Sequence, residues 1–324
     1  GSPNTVTGAA ASVSAPKLWQ ISRTPVAGHG FAASAPTLYF AERASGNVLL
    51  ADPRETRIDR LTNTLFAKTI EAYFASDGSV VLRAMTDSGD VTSFAGKMST
   101  SSSAAAGEAP NKLEGVYLPR NISSLSVRPS SNTVFFVIPD NTSGAAGITM
   151  DWQGENQRRA FSSVLTNWRT TYLADGSLYV SQKASDNVSG YVFKVRANGS
   201  LERVVGNLPG LVALPKSAST ALLYSTSEGG VVTLYARASA GRGDKALPIK
   251  TIAEKCVWAP GTAVIAYCAV PQNPPGRDFL MNWYMGVSHT SDTWWRIDVA
   301  TGEVTPLLET EGTNKVFDVE NPVI

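Results

Sequence analysis

YLADGSLYVSQKASDNVSGYVFKVRANGSLERVV, residues Tyr172–Val205, decides the fold class. It reads as three short strands joined by tight turns. Asp175-Gly176-Ser177 leads into Leu178–Ser181, Gly190–Arg196 follows, and Asn198-Gly199 turns the chain into Leu201–Val205. In the middle strand Tyr191, Phe193 and Val195 share one face, and Val192, Lys194 and Arg196 share the other. Alternation with period two is the pattern of a half-buried strand. Asp-Gly and Asn-Gly supply the positive φ that tight hairpins need. One such unit cannot bury its apolar face alone, so the rest of the chain is expected to repeat it.

It does. Turns rich in Asp, Gly, Pro or Ser, each between two apolar strands, centre near Pro36, Asp77, Ser130, Asp175, Ser217 and Pro260, at intervals of 41, 53, 45, 42 and 43 residues. The long interval holds the low-complexity run Ser99–Gly107. A period of roughly 40–45 residues with about four strands per unit marks a β-propeller blade. Sustained 3.6-residue periodicity is nearly absent, which argues against an all-α or doubly wound fold.

Six blades read in order. The first holds 38–40, 47–50 and 56–61, the second 71–74, 80–83, 91–94 and 113–118, and the third 122–127 and 134–138. The fourth is the opening stretch, the fifth holds 221–224 and 231–235, and the sixth holds the two cysteines, 294–299 and 304–308. A seventh is expected from both termini, with 316–324 innermost and Leu18–Ile21 outermost. The fold expected is therefore an all-β, seven-bladed propeller whose last blade is composite. Residues 1–16 read as a flexible linker after a Gly1-Ser2 tag scar, and 17–324 as one domain. A signal or membrane anchor upstream is expected to have been removed.

Cys256 and Cys268 flank a segment whose Pro260-Gly261 turn lies near its midpoint. A hairpin folded there sets them opposite each other within disulfide reach. Two readings stand, a disulfide or a pair of buried thiols. The first places the protein in an oxidising compartment.

The one helical exception is Pro271–Asp292, an insertion within the sixth blade. Asp278 is expected to cap a short helix through Met285. The loop between a blade's second and third strands lies on the same face as the crossings between blades. Trp283 and Tyr284 are therefore expected near Arg120, Trp168, Arg169, Glu254 and Lys255. Trp283, Tyr284, Trp168, Arg169, Arg120 and His289 are the candidate binding residues, with aromatic side chains as anchors.

Composition sets limits. Net charge is +1 and charged residues are 17% of 324, so neither a basic footprint for nucleic acid nor an acidic one for a polycation exists. No apolar run reaches the roughly 20 residues of a spanning helix. The two histidines, His29 and His289, form no His-Glu-x-x-His pattern, and Cys-x-x-Cys is absent, so neither a metal nor a cofactor is expected. Gly28-His29-Gly30 mimics part of a dinucleotide fingerprint, but Pro36 interrupts the helix it would need, and it reads as a turn. Arg242-Gly243-Asp244 reads as a chance match in a polar loop. Ser291-Asp292-Thr293-Trp294 lacks the glycine of a sialidase-type aspartate box.

With the repeats laid out, the chain resembles bacterial TolB-like and WD40-like propellers of the PD40 type, and is similar to membrane-anchored extracytoplasmic propellers. The likeness lies in Leu201-Glu202-Arg203-Val204 with Pro209-Gly210-Leu211, and in Lys255-Cys256-Val257-Trp258 with Tyr267-Cys268-Ala269-Val270-Pro271. Trp283-Tyr284-x-Gly286, Trp295-x-Ile297-Asp298 and the turn Ser76-Asp77-Gly78-Ser79 also carry it. The resemblance implies a seven-bladed propeller outside the cytoplasm, with no activity attached. The expected function is a non-catalytic, monomeric binding module at the bacterial cell surface, recognising a protein or glycan of the envelope, with contact to the membrane only through the removed anchor. The alternative is a glycoside hydrolase or lyase in the central funnel, which needs converging carboxylates. Asp and Glu cluster nowhere along the sequence, which weighs against it.

Overall fold

Each of the six recurring turns joins the first two strands of a four-stranded antiparallel sheet. The computed structural model describes residues 20–33, 36–52, 54, 57–100, 111–273, 275–308 and 317–324. Blade I is β1 (Val26–Phe31), β2 (Leu38–Glu42), β3 (Val48–Asp52) and β4 (Arg57–Arg60). Blade II is β5 (Thr69–Phe74), β6 (Ser79–Met85), β7 (Val91–Thr100) and β8 (Asn111–Tyr117). Blade III is β9 (Ser124–Val127), β10 (Thr133–Asp140), β11 (Gly144–Asp151) and β12 (Arg158–Ser163). Blade IV is β13 (Trp168–Tyr172), β14 (Leu178–Gln182), β15 (Ser189–Val195) and β16 (Leu201–Pro209). Blade V is β17 (Val212–Pro215), β18 (Leu222–Glu228), β19 (Val231–Arg237) and β20 (Lys245–Ala246). Blade VI is β21 (Cys256–Trp258), β22 (Ile265–Pro271), β23 (Asp292–Asp298) and β24 (Glu303–Leu308). Every sheet takes its four strands consecutively from the chain.

Two of these turns, and the turn from β15 to β16, are built alike. The backbone N–H groups of Ser79, Ser177 and Ser200 each donate to the side chain two residues earlier, Asp77, Asp175 and Asn198, at 3.0 Å. Gly78, Gly176 and Gly199 between them hold φ of 84°, 88° and 83°, a conformation only glycine adopts without strain. The turns also join one another. Ala33 N–H donates to Ser76 O at 2.8 Å and Ser76 N–H to Pro129 O at 3.1 Å. Ser130 Oγ donates to Ala174 O at 3.0 Å, Asp175 N–H to Ser217 Oγ at 3.1 Å, and Lys216 Nζ to Ala259 O at 2.9 Å. All six blades are thus linked in sequence on one face, here the turn face.

The alternation in β15 has a fuller meaning than half-burial. Phe193 and Val195 pack toward blade III with Phe135, Phe161 and Trp168, while Val192 packs toward blade V with Leu211, Leu222 and Tyr224. Both faces of the sheet are covered by neighbouring blades, because a blade in a ring has two neighbours. Similar clusters join I to II, II to III and V to VI. The junction of VI with I is different. There lies the segment 317–324, without strand structure, whose Phe317 O accepts from Asp292 N–H at 2.8 Å and whose Asn321 backbone bonds the His29 ring of β1.

That arrangement corrects the expected seven blades to six. Of the composite seventh, Leu18 and Trp19 fall outside the described residues, as do residues 1–16, and neither Gln20, Ile21 nor 317–324 is strand. Blade I is complete without them, because Gly28-His29-Gly30 is part of β1 and not a turn. Its glycines answer close packing: a Cβ on Gly28 would stand 1.9 Å from Ala72 O of β5. β1 lacks an apolar alternation for this reason, and the strand went unread.

Cys256 and Cys268 sit directly opposite in the β21–β22 ladder with Cα atoms 4.0 Å apart, and they form the disulfide. The insertion after β22 carries α1 (Phe279–Tyr284). Asp278 occupies its N-cap position in a left-handed conformation and makes no side-chain cap. The cap comes from another blade: Asp186, after β14, accepts from Met281 N–H at 3.0 Å, and its other oxygen accepts from Ser227 Oγ of β18. A first-turn N–H that its own chain leaves open is thereby satisfied, and α1 is tied across blades IV, V and VI.

Candidate functional site

The innermost strands β5, β9, β13, β17 and β21 all begin at the crossing face, opposite the turn face. Their first residues surround a cavity of about 720 Å³. Glu71, Ser124, Arg169, Leu211 and Glu254 each lie six residues before a turn centre, and all five line it. Tyr284 of the insertion and Asn321, Pro322 and Val323 of the terminal segment complete the wall.

Two arginine–glutamate–tyrosine clusters dominate the wall. In the first, the Arg169 guanidinium holds Glu254 through two bonds of 3.0 and 3.1 Å and the Tyr284 hydroxyl at 2.9 Å. The Tyr284 hydroxyl donates to Glu254, and Arg169 also lies 4.9 Å over the Tyr284 ring. Burial of the hydroxyl end and then the Glu254 charge push the Tyr284 phenol well above its ordinary range, so it stays a donor. In the second, Arg83 donates to Glu71 and to Ile122 O at 2.8 Å, and Tyr73 donates to Glu71 at 3.1 Å. Burial and then Glu71 push the Tyr73 phenol up as well. Each cluster matches one positive with one negative charge.

Between the clusters the wall is neutral. Ser124, Ser126, Thr170, Thr171, Ser181 and Gln182 line it together with Leu211–Leu214, of which Leu211 and Val212 are buried in the junctions of blade V with its neighbours. Ser124 Oγ accepts from Thr170 N–H at 3.0 Å. Three buried polar atoms of lining residues have no hydrogen-bond partner: Arg83 Nε, Ser126 Oγ and Gln182 Oε1.

The sequence candidates separate. Tyr284 and Arg169 meet at the cavity, as the crossing-face placement implied. Trp283 lies beneath them, 7% exposed, its Nε1 donating to both Asp318 oxygens at 3.0 and 3.2 Å. Trp168 is core, 1% exposed, with its indole N–H on Leu165 O at 2.8 Å. His289 is exposed, with Nδ1 3.3 Å from Asp318 Oδ2. Arg120 is exposed on the crossing from β8 to β9, away from the cavity lining. Glu71, Tyr73, Arg83, Ser126 and Gln182 were missed. For Glu71 the signal existed, since the repeat offset that selects Arg169 and Glu254 selects it too.

The remaining motifs have structural partners. Asp244 of Arg242-Gly243-Asp244 is held by Arg237 at 2.6 and 2.8 Å and by Tyr224 at 2.9 Å. Asp292 is 1% exposed and pairs with Lys255. Among the described residues no three His, Cys, Asp or Glu side chains form a group able to hold a metal ion, and no helix is long and apolar enough to cross a membrane.

No protein-family model matches the chain. No curated protein matches it in sequence. Solved structures do. The β-propeller domain of the trilobed protease from Pyrococcus furiosus, described as having an open velcro topology, is 12% identical, covering 88% of this chain and 82% of that one with a TM-score of 0.52. A prolyl endopeptidase structure is 12% identical over 87% of this chain and 42% of that one, TM-score 0.53. TolB from Acinetobacter baumannii is 10% identical over 81% of this chain and 59% of that one, TM-score 0.48. At such identities the likeness shows the β-propeller fold alone, which the resemblance to TolB-like propellers had implied.

Proposed function

We propose that this chain is a non-catalytic binding module that docks a protein partner on its crossing face, outside the cytoplasm. The observation that carries it is where large apolar side chains meet solvent. Among the described residues, Leu65, Tyr117, Val164 and Leu165 are exposed on the crossings, and Met85, Val188 and Val231 at the loops between second and third strands. Met281, Tyr284, Met285 and Val287 are exposed on the insertion, which occupies the equivalent place in blade VI. Leu307, near the crossing-face end of β24, and Val323, on the cavity wall, belong to the same side, whereas Ile58, near the start of β4, lies toward the turn face. Apolar groups gathered on one face, around a polar cavity, are the mark of an interaction surface. The Cys256–Cys268 disulfide supports an oxidising compartment.

The test is capture of a partner from cell-envelope extract by the intact chain, compared with Met285→Asp/Val287→Asp on the crossing face and Ile58→Asp toward the turn face. The first variant should abolish a specific capture that the second preserves. Equal recovery by both, or capture by neither the parent chain nor the control, overturns the reading.

The enzyme alternative gains one observation, since Glu71 and Glu254 line the same cavity although they are far apart in sequence. Each is engaged by a guanidinium and a phenol. That arrangement fixes side chains, whereas hydrolysis of a glycoside needs one carboxyl free to give a proton and another free to attack or to activate water. Turnover of chromogenic glycosides, lost in Glu254→Gln, would reverse this preference.

A further inference from the structure

We propose that the outer edge of blade II, at Gly115–Tyr117 of β8, is where the partner adds an extended strand of its own to the propeller. The proposal deepens the binding-module reading and rests on it, naming the kind of segment by which the partner docks.

Every blade ends in an outer strand with a free edge, and such edges invite pairing unless something blunts them. Five are blunted. β4 has four residues, with charges at Arg57, Asp59 and Arg60. β12 opens on Arg158-Arg159 and pairs with β11 in shifted register, and β16 has two register shifts and ends at Pro209. β20 has two residues, and β24 carries a register shift and Pro306. β8 pairs with β7 in unbroken register, from Tyr117 opposite Phe94 to Asn111 opposite Thr100. It contains no proline, and its charges, Lys112 and Glu114, stop short of Gly115.

The ladder shows which backbone groups are free. Leu118 N–H donates to Ser93 O of β7 at 2.8 Å, so the even-numbered residues here turn their backbone groups toward β7. Odd-numbered residues of an antiparallel strand then face outward, and Leu113 N–H accordingly donates to Thr64 Oγ1 at 3.3 Å. The N–H and C=O groups of Gly115 and Tyr117 face out as well, and none of them has a partner among the described residues. They can be reached. Gly115 is exposed and has no side chain, so the surface it exposes is backbone, and Tyr117 is 68% exposed.

Side chains select the strand. Leu113, Gly115 and Tyr117 share one face. There Leu113 is buried between blades I and II, the Tyr117 ring lies edge-on to Phe94 at 5.2 Å, and Phe66 packs on Phe94 at 4.8 Å. A residue opposite Gly115 meets no side chain, so an aromatic ring fits over the glycine beside Tyr117. Arg120, just past β8, is exposed and forms no ion pair among the described residues, which suits an acidic residue at that end of the partner strand. A second copy of this chain is the poorer occupant. Pairing β8 with itself, Gly115 opposite Tyr117, would set Lys112 opposite Arg120, and like charges so placed repel.

The experiment is NMR titration of the intact chain with short peptides of alternating threonine and valine around a central tyrosine, ended by aspartates or by lysines. The aspartate peptide is also made in two forms, N-methylated on one or the other set of alternate residues. It should shift the Gly115 and Tyr117 amide signals, slow their exchange with solvent, leave the signals of β16 in place, and bind more tightly than the lysine peptide. One of the N-methylated forms should lose binding. Tyr117→Pro removes an outward N–H and no bond to β7, and should weaken binding by about tenfold, the order of one hydrogen bond. Tyr117→Lys keeps the backbone, should also weaken binding, and holds the test open should the proline variant misfold. No shift at Gly115, full binding of both N-methylated forms, an equal response from β16, or tighter binding of the lysine peptide overturns the proposal. Capture from envelope extract that is lost in Met285→Asp/Val287→Asp but unchanged in both Tyr117 variants also overturns it, while the binding-module reading stands. Self-association of the chain that Tyr117→Lys abolishes assigns the edge to a second copy and overturns it as well.

Discussion

Lys255 Nζ stands 2.8 Å from Asp292 Oδ2, and neither side chain exposes any surface. The same ammonium bonds Thr290 Oγ1 at 2.8 Å, Asp318 Oδ1 at 2.5 Å and Val319 O at 3.1 Å, and lies 4.8 Å over the Trp283 ring. One cation therefore joins the crossing into blade VI, the start of β23, the insertion and the terminal segment. Lys255→Met should cost about 3–5 kcal/mol, because it leaves Asp292 buried without a counter-charge. Urea unfolding measures it, and a loss below about 1 kcal/mol would contradict this account.

Acid should loosen the junction between blades VI and I in two stages. Burial holds the His29 imidazole below its ordinary value, only partly offset by the bond to the Asn321 backbone. The unfolded chain therefore takes up that proton first, and stability begins to fall below about pH 6.5. Burial works to raise the Asp318 carboxyl, but hydrogen bonds from Lys255, Trp283 and Thr290, and the Lys255 charge, outweigh it and bring it to about 2. Its contribution is whole above about pH 4 and is lost as the pH falls through about 2. Trp283 donates to Asp318, so tryptophan fluorescence should report the lower step, and Asp318→Asn should remove it.

Reduction of Cys256–Cys268 should lower stability by about 3 kcal/mol through loop-closure entropy. The bridge joins residues 12 apart that already face each other across a ladder. The sheet should survive, so melting with and without reductant should show one transition displaced downward and no loss of strand signal in circular dichroism.

Gly28→Ala should destabilise by about 1–3 kcal/mol. The new methyl would meet a backbone carbonyl at 1.9 Å, which no rotamer change relieves. Gly89→Ala, where nothing lies within 4 Å but φ is +88°, isolates the separate cost of backbone conformation. Thermal melts of the two distinguish close packing from turn geometry.

Asp186→Ala should cost about 1–2 kcal/mol, as for loss of an N-cap. The effect should concentrate on the insertion. Amide exchange at Met281 should rise far more than at the β14–β15 ladder, and equal increases at both would argue that Asp186 serves blade IV alone.

What could be read in advance follows from the kind of signal each residue carries. The six turns announce themselves because turns rich in Asp, Gly, Pro or Ser are local and recur at an interval near 40–45 residues. β1 does not, since Gly28 and Gly30 answer to β5 and Phe74 across a blade junction and carry no alternation. The assumption that both termini must share a blade then added a seventh, where the chain in fact uses an irregular segment tied down by Lys255. The cavity was half visible. Arg169, Glu254 and Tyr284 were placed on the crossing face by topology, whereas Arg83 and Gln182 lie on second strands whose inward reach no spacing rule conveys. Trp168 and Trp283 show the limit of composition, for an indole beside a crossing serves equally to anchor a ligand or to fill the core.

The contact between His29 and Asn321 brings together residues almost the full length of the chain apart. Local hairpins form early, and pairings between remote segments must wait for loop closure. Five blade junctions can be made while the chain emerges, but the flank of blade I stays uncovered until residues 317–324 arrive. Assembly of this ring should therefore be paced by its final joint, and a chaperone that shelters a half-built propeller would find blade I the part most in need of cover.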